Sequence, residues 1–219
     1  MEKKFSTKVL AEIAIFAAIA FALDFLQGGI WRGVWTSGGS IGLAMVPIFI
    51  IAYRRGLLPG ILCGLIVSII QMLGGVYAIN GSSFESTFMQ AMGPFFQILL
   101  DYVLAYTLVG IAGAFSGLFK KQKNFKAQML WLIIGCVIAG LLKYFCHVLA
   151  GGLFWLNMGG SFAGINDSSW LYSFIYNGTF MIPNIIICTI TMILINKINP
   201  AILNIDYENK EEKEEDTNE

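Results

Sequence analysis

Charge is what this sequence has least of. Asp, Glu, Lys and Arg make up 13% of the 219 residues, about half the share of a soluble domain. Hydrophobic residues make up 57% and mean hydropathy is +0.71. So large an apolar excess predicts an integral membrane protein, and the short polar interruptions leave no room for a separate soluble domain, which argues against soluble catalysis. Histidine occurs once. The four cysteines, Cys63, Cys136, Cys146 and Cys188, form no C-x-x-C pair and have no histidine at zinc-ligand spacing, so no metal site, no cofactor and no disulfide is expected. There is no G-x-x-x-x-G-K-[ST] loop to hold a nucleotide and no G-x-S-x-G nucleophile turn, which argues against an internal ATP motor and against serine chemistry.

What is present is a series of apolar runs: Val9 to Leu26, Ile41 to Tyr53, Leu57 to Leu73, Phe88 to Phe119, Ala127 to Leu156 and Trp170 to Asn196. Pro47 within the second predicts a kinked or partly re-entrant helix. Twelve of the fourteen basic residues fall in the N-terminus, the Arg54-Arg55 turn, the Lys120 to Lys126 loop and the C-terminal segment. Basic loops stay cytoplasmic. The expected fold is therefore all-α, a polytopic bundle of six transmembrane helices with both termini cytoplasmic, forming one membrane domain over 1–205. Residues 206–219, with eight acids, read as a solvated, disordered tail. Ala14, Ala18 and Ala22 recur every fourth residue, as do Gly56, Gly60 and Gly64, with Gly113 and Gly117 as a further pair; such edges let another backbone approach. For the alanines, packing inside the bundle and a partner face are equally open.

Ionisable groups in a bilayer are costly and mark pathways or ligands. Lys143, His147, Gly151 and Trp155 make one strip on a helix turning about 100° per residue. Asp101 lies about 27 Å above the cytoplasmic end of its helix and Lys143 about 24 Å above that of its own, with His147 and Asn177 at about 30 Å. Tyr172 and Trp155 come out higher, in the outer half of the bilayer. Asp101 and Lys143 at one depth could simply neutralise each other. The alternative is an outward-opening pocket in which an acid among aromatic rings receives a flat cation, read by Tyr and Asn side chains. Asn177 is about 140° round the helix from Tyr172, so the polar groups of that helix are not expected to share one direction. Trp31 and Trp35 lie in a long glycine-rich loop that is a candidate lid.

These residues resemble the thiamine-specific S-components of energy-coupling factor (ECF) vitamin transporters, over roughly residues 7 to 197. The resemblance rests on L-L-K-Y-F-C-H-V-L-A-G-G-L-F-W at 141–155, Y-S-F-I-Y-N-G at 172–178, L-D-Y at 100–102, Y-R-R-G at 53–56 and A-E-I-A-I-F-A-A-I-A-F at 11–21. It implies a non-enzymatic, six-helix subunit that captures thiamine from outside and joins a transmembrane coupling protein and two ATPases for uptake. It also implies His147 and Trp155 flanking the thiazolium and Asp101 as the acid. Tyr172 and Asn177 would contact the aminopyrimidine, and Lys143, Gly151, Tyr102 and Tyr77 would line the site. Trp35, in preference to Trp31, would stack on the pyrimidine, and Ala14, Ala18 and Ala22 would dock the coupling subunit. Asp101 stands where the family has glutamate, so a shorter reach, or reach through a water, is expected. Competing readings are an S-component for another vitamin or precursor, a proton-coupled carrier using Asp101 and Lys143, and an intramembrane enzyme using Asp101, His147 and Ser173.

Overall fold

The computed structural model describes residues 6–35, 38–155, 161–162, 165–166 and 170–205, and the acidic tail expected at 206–219 lies outside them. The described residues are almost entirely helical: α1 (Thr7–Ile30), α2 (Met45–Arg55), α3 (Leu57–Leu73), α4 (Thr87–Lys121), α5 (Phe125–Trp155) and α6 (Trp170–Ile198). Between α5 and α6 sits a two-rung antiparallel ribbon, β1 (Ser161–Phe162) with β2 (Ile165–Asn166). Four of the helices, α1, α4, α5 and α6, are long and apolar enough to cross a membrane, and α3 is a shorter apolar helix. Ser6 accepts from the Val9 N–H at 3.4 Å to start α1, and Asn124 accepts from the Lys126 N–H at 2.8 Å to start α5, the side-chain caps that free helix N-termini require. The four cysteines are buried free thiols.

Only one face of α1 enters the bundle, through Ile13, Ala17 and Ala20. Ala14, Ala18 and Ala22 are exposed on the other side, so this small-residue edge does not serve internal packing. The glycines of α3 do. An added Cβ on Gly60 would come within 2.7 Å of the Gly110 carbonyl oxygen and one on Gly64 within 2.2 Å of that of Tyr106, while one on Gly113 would meet the Gly56 backbone at 2.6 Å. The backbones of α3 and α4 thus cross in direct contact, a geometry only small residues permit.

The α2 helix runs without a break through Pro47, where a kink was expected. It begins at Met45, so the proline falls in its first turn, where a missing N–H breaks no intrahelical bond. The residues from Met45 to Tyr53 are all buried. Just upstream of α2, non-helical backbone runs beside the middle of α6. Asn184, about 21 Å from either end of that helix, accepts from the Gly42 N–H at 2.8 Å and donates to the Ser40 carbonyl at 2.6 Å. The Ala44 N–H donates to Gln27 Oε1 at 3.3 Å and the Trp31 indole to the Ile41 carbonyl at 2.6 Å. Backbone polar groups away from water need protein partners, and side chains of α1, α6 and Trp31 supply them here.

The basic segments meet at one end of the bundle. Arg55 makes a two-point ion pair with Glu12 of α1, at 2.5 and 2.6 Å. Arg54 donates to the Ala201 carbonyl at 2.7 Å, and Lys120 to the Arg54 carbonyl at 2.8 Å. The start of α1 and the ends of α2, α4 and α6 are thereby tied together. The cavity lies toward the opposite end.

Candidate binding site

Two helices carry a turn of wider π-helical winding, Leu99–Leu104 in α4 and Gly151–Trp155 at the end of α5. Such turns insert a residue into the i→i+4 ladder and swing side chains out of the ordinary stripe, often at sites. Here they aim Asp101 and Trp155 at one another. The Trp155 indole N–H donates to Asp101 Oδ2 at 3.1 Å, Gln97 Nε2 to the same oxygen at 2.8 Å, and His147 Nδ1 lies 3.0 Å from Oδ1. That last contact is made by Nδ1, so His147 Nε2 is turned away from Asp101. The aspartate is thus held directly by three side chains.

Around this centre opens a cavity of about 740 Å³, within the range of small-molecule sites. Asp101, Tyr102, Lys143, His147, Gly151, Trp155, Tyr172, Asn177 and Tyr77 all line it. Tyr77 lies flat on Trp155, rings 5.4 Å apart and 11° from parallel, and its backbone N–H donates to the Tyr102 hydroxyl at 2.9 Å. The loop between α3 and α4 is thus fastened to the site. Tyr172 stacks on Tyr176 at 5.6 Å, and the Tyr176 hydroxyl donates to the Gly38 carbonyl at 3.0 Å. Asn177 Nδ2 donates to the Ser173 carbonyl at 2.9 Å and the His147 carbonyl at 3.3 Å. Tyr172 and Asn177 share the cavity despite their angular separation on α6, because the cavity wraps a wide arc of that helix. Gly151 lets α5 approach α6, since a Cβ there would lie 2.1 Å from Ser173 Oγ.

Trp35 stands outside the lining. Its indole N–H donates to Thr179 Oγ1 at 2.8 Å, and its ring packs edge-on against Phe180 at 5.8 Å and against Trp31 at 5.6 Å. Phe180 is the ring that faces the cavity.

Asp101 and Lys143 do not neutralise each other. Lys143 is 7% exposed and holds its ammonium 3.3 Å from the centre of the Tyr106 ring, and it makes no ion pair among the described residues. The acid at its end of the cavity is Asp24, which sequence reading passed over. Its carboxylate accepts from the Tyr106 hydroxyl, from Gln27 Nε2 at 3.2 Å and from Gln71 Nε2 at 2.8 Å. The cavity therefore has two poles, Asp101 with His147 and Trp155, and Asp24 with Tyr106 and Lys143. The signal for Asp24 was present in the sequence: an acid interrupting an apolar run is subject to the same cost that singled out Asp101. The amides of Gln27, Gln71 and Gln97, also within spans, mark the same surface.

This chain matches the family model of the thiamine transporter protein over residues 10–204. The chain belongs to the thiamine transporter family. The thiamine transporter ThiT of Bacillus subtilis is 33% identical over 201 residues, 90% of this chain and 94% of that one. ThiT of Lacticaseibacillus paracasei is 32% identical over 78% of this chain and 77% of its own. A solved structure of ThiT from Listeria monocytogenes superposes with a TM-score of 0.70 at 27% identity, covering 90% of this chain and 97% of that one. Membership of the thiamine transporter family makes this chain a membrane transport protein rather than an enzyme.

Proposed function

We propose that the chain is the thiamine-binding subunit of an ECF-type importer, taking thiamine from outside the cell into the cavity lined by α1, α3, α4, α5 and α6. The observation that carries this is the Asp101 centre in the wall of a cavity of about 740 Å³. It is a carboxylate held by an imidazole, an indole and an amide, with aromatic rings on several sides. A cation stacked among such rings gains about 2 kcal/mol when desolvated, and the acid supplies its counter-charge. Thiamine presents a cationic thiazolium and a flat aminopyrimidine. Asn177, whose Nδ2 is committed to backbone carbonyls, offers Oδ1 to the pyrimidine amine.

In this reading all six helices traverse the membrane within a single domain over 1–205. Both termini are cytoplasmic, on the side of Glu12, Arg54, Arg55 and Lys120, and the tail at 206–219 is solvated. Uptake is driven by ATP hydrolysis in two partner ATPases joined through a transmembrane coupling protein. A subunit specific for another vitamin would keep the same framework, and a proton-coupled carrier would accumulate solute without ATPases.

The test is titration of the purified protein with thiamine, read by tryptophan fluorescence. Tyr77 covers one face of Trp155, and a ring stacked on the other should quench it strongly. His147→Ala is expected to weaken binding at least about tenfold, the equivalent of 1.4 kcal/mol. Absence of quenching, or unchanged affinity in the variant, would reject the site.

Docking is assigned to the exposed edge of α1. Ala14→Trp and Ala18→Trp place a bulky ring on a surface outside the bundle, so thiamine binding is expected to stay within about twofold of the parent while transport in the assembled importer falls to background. Uptake at the parental rate would remove the docking role.

A further inference from the structure

Gln97 stands one turn before Asp101 on α4, in the wall of the cavity and only 1% exposed. Both ends of its amide are used. Nε2 donates to Asp101 Oδ2 at 2.8 Å and to the Tyr77 carbonyl at 3.4 Å, and Oε1 accepts from the Ile79 N–H at 3.4 Å. A flipped amide would set its oxygen against a carboxylate and a carbonyl and its nitrogen against an N–H, so this orientation alone serves all three. One side chain thus joins the acid on α4 to the loop between α3 and α4.

The loop needs such a tie. The Tyr77 ring is 66% exposed, so burial does not hold it in place. Its backbone is held instead, the N–H by the Tyr102 hydroxyl at 2.9 Å and the carbonyl by Gln97. Two residues on, Ile79 is 4% exposed in a small apolar cluster with Ala150 and Phe154, and its N–H requires an acceptor away from water. Fixed at these points, the loop lays the Tyr77 ring along Trp155.

We infer that Gln97 is a positioning residue for the ligand site, aiming the Asp101 carboxylate and seating Tyr77 on Trp155 through a single amide. Oδ2 of Asp101 takes the Gln97 amide and the Trp155 indole together, which leaves Oδ1 to His147. Counter-charge and ring platform are therefore set as one unit. The effect on affinity rests on the thiamine reading above, whereas the effect on the Tyr77–Trp155 stack does not. Gln90 supplies the contrast on the same helix. It donates to the Phe84 carbonyl of the same loop at 2.8 Å, from an exposed position outside the cavity lining, and so fastens the loop without touching the acid.

The experiment uses Gln97→Met, which keeps the length and bulk of the side chain and deletes its hydrogen bonds. In the ligand-free, full-length protein, Tyr77→Ala defines the part of the near-ultraviolet circular dichroism that comes from the Tyr77–Trp155 stack, and Gln97→Met is expected to lose most of it. Thiamine affinity, measured by calorimetry, should fall about tenfold. In an Asp101→Ala background, where Gln97 has lost its charged partner, the same substitution should cost no more than about twofold further; a side chain that only fills space would cost the same in both backgrounds. Gln90→Leu should keep the parental signal and affinity. Gln97→Asn, which draws the amide back by one methylene, is expected to behave as Gln97→Met does and carries the test if that variant does not fold. An intact stacking signal in the Gln97 variants, equal cost in the two backgrounds, or an equal loss in Gln90→Leu overturns the positioning role. The dichroism needs no ligand, so a parent that failed to bind thiamine would reject the transport reading and still leave the role of Gln97 to be decided by the stack.

Discussion

Asp101→Ala is expected to weaken thiamine binding by at least about a hundredfold. Removing one member of a buried, hydrogen-bonded charge pair costs about 2 to 5 kcal/mol, and each 1.4 kcal/mol is tenfold. This residue stands at the upper part of that range because its loss has two consequences. The bound cation loses its counter-charge in a low-dielectric wall. In addition, the Trp155 indole N–H, the Gln97 amide and His147 Nδ1 lose the acceptor they share, so the two rings that would flank the ligand lose their fixed orientation. Asp101→Asn separates these effects. It keeps one oxygen acceptor but no charge, and affinity between the parent and Asp101→Ala is expected. Calorimetric titration of the three proteins checks the order. If Asp101→Asn binds as tightly as the parent, charge recognition is wrong and the carboxylate is only a hydrogen-bonding bracket.

The frame around this acid was legible because the bilayer imposes a simple rule on sequence. Apolar runs bounded by polar residues predicted a third span of Leu57 to Leu73, and that helix has those bounds. The strip from Lys143 to Trp155 identified one wall of the cavity for the same reason, since charge within an apolar run is costly. Other features follow from information that periodicity does not carry. Pro47 kinks a helix only if it lies beyond the first turn, and α2 starts two residues before it. The π-helical turns at Leu99–Leu104 and Gly151–Trp155 shift side-chain directions by a fraction of a turn, which a 100° wheel does not register. Trp35 has a ring suited to stacking, but it packs edge-on against Phe180 outside the cavity lining, a placement set by how the loop folds back on α6. Asp24 was visible and unused. Its partners Gln71 and Tyr106 lie on helices far along the chain, so the network that makes it part of the cavity exists only in three dimensions.

That network rests on the crossing of α3 and α4, which makes Gly64→Ala the substitution with the largest expected effect on stability. The new Cβ would lie 2.2 Å from the Tyr106 carbonyl oxygen, 2.9 Å from its carbon and 3.0 Å from Thr107 Cα. These are backbone atoms, so no rotamer change relieves the overlap and the helices must move apart. Overpacking of this kind costs typically about 1 to 3 kcal/mol, and against backbone the upper figure applies. For a chain of this size 1 kcal/mol corresponds to about 2 to 4 °C, so a fall of roughly 6 to 12 °C in Tm is expected. Because Tyr106 donates to Asp24 and underlies the Lys143 ammonium, its displacement also spoils one pole of the cavity, and thiamine affinity should fall about tenfold. Gly117→Ala is the matched control. Gly117 belongs to the same helix and the same four-residue spacing as Gly113, yet a Cβ there meets nothing within 4 Å. With only the helix preference of alanine, up to about 1 kcal/mol, in play, it should leave Tm unchanged or slightly raised and binding intact. Thermal unfolding and titration of both variants in lipid nanodiscs decide the matter. A parental Tm for Gly64→Ala would mean that α3 and α4 do not cross in backbone contact, and the grouping of Tyr106, Asp24 and Lys143 at one pole of the cavity would fall with that crossing.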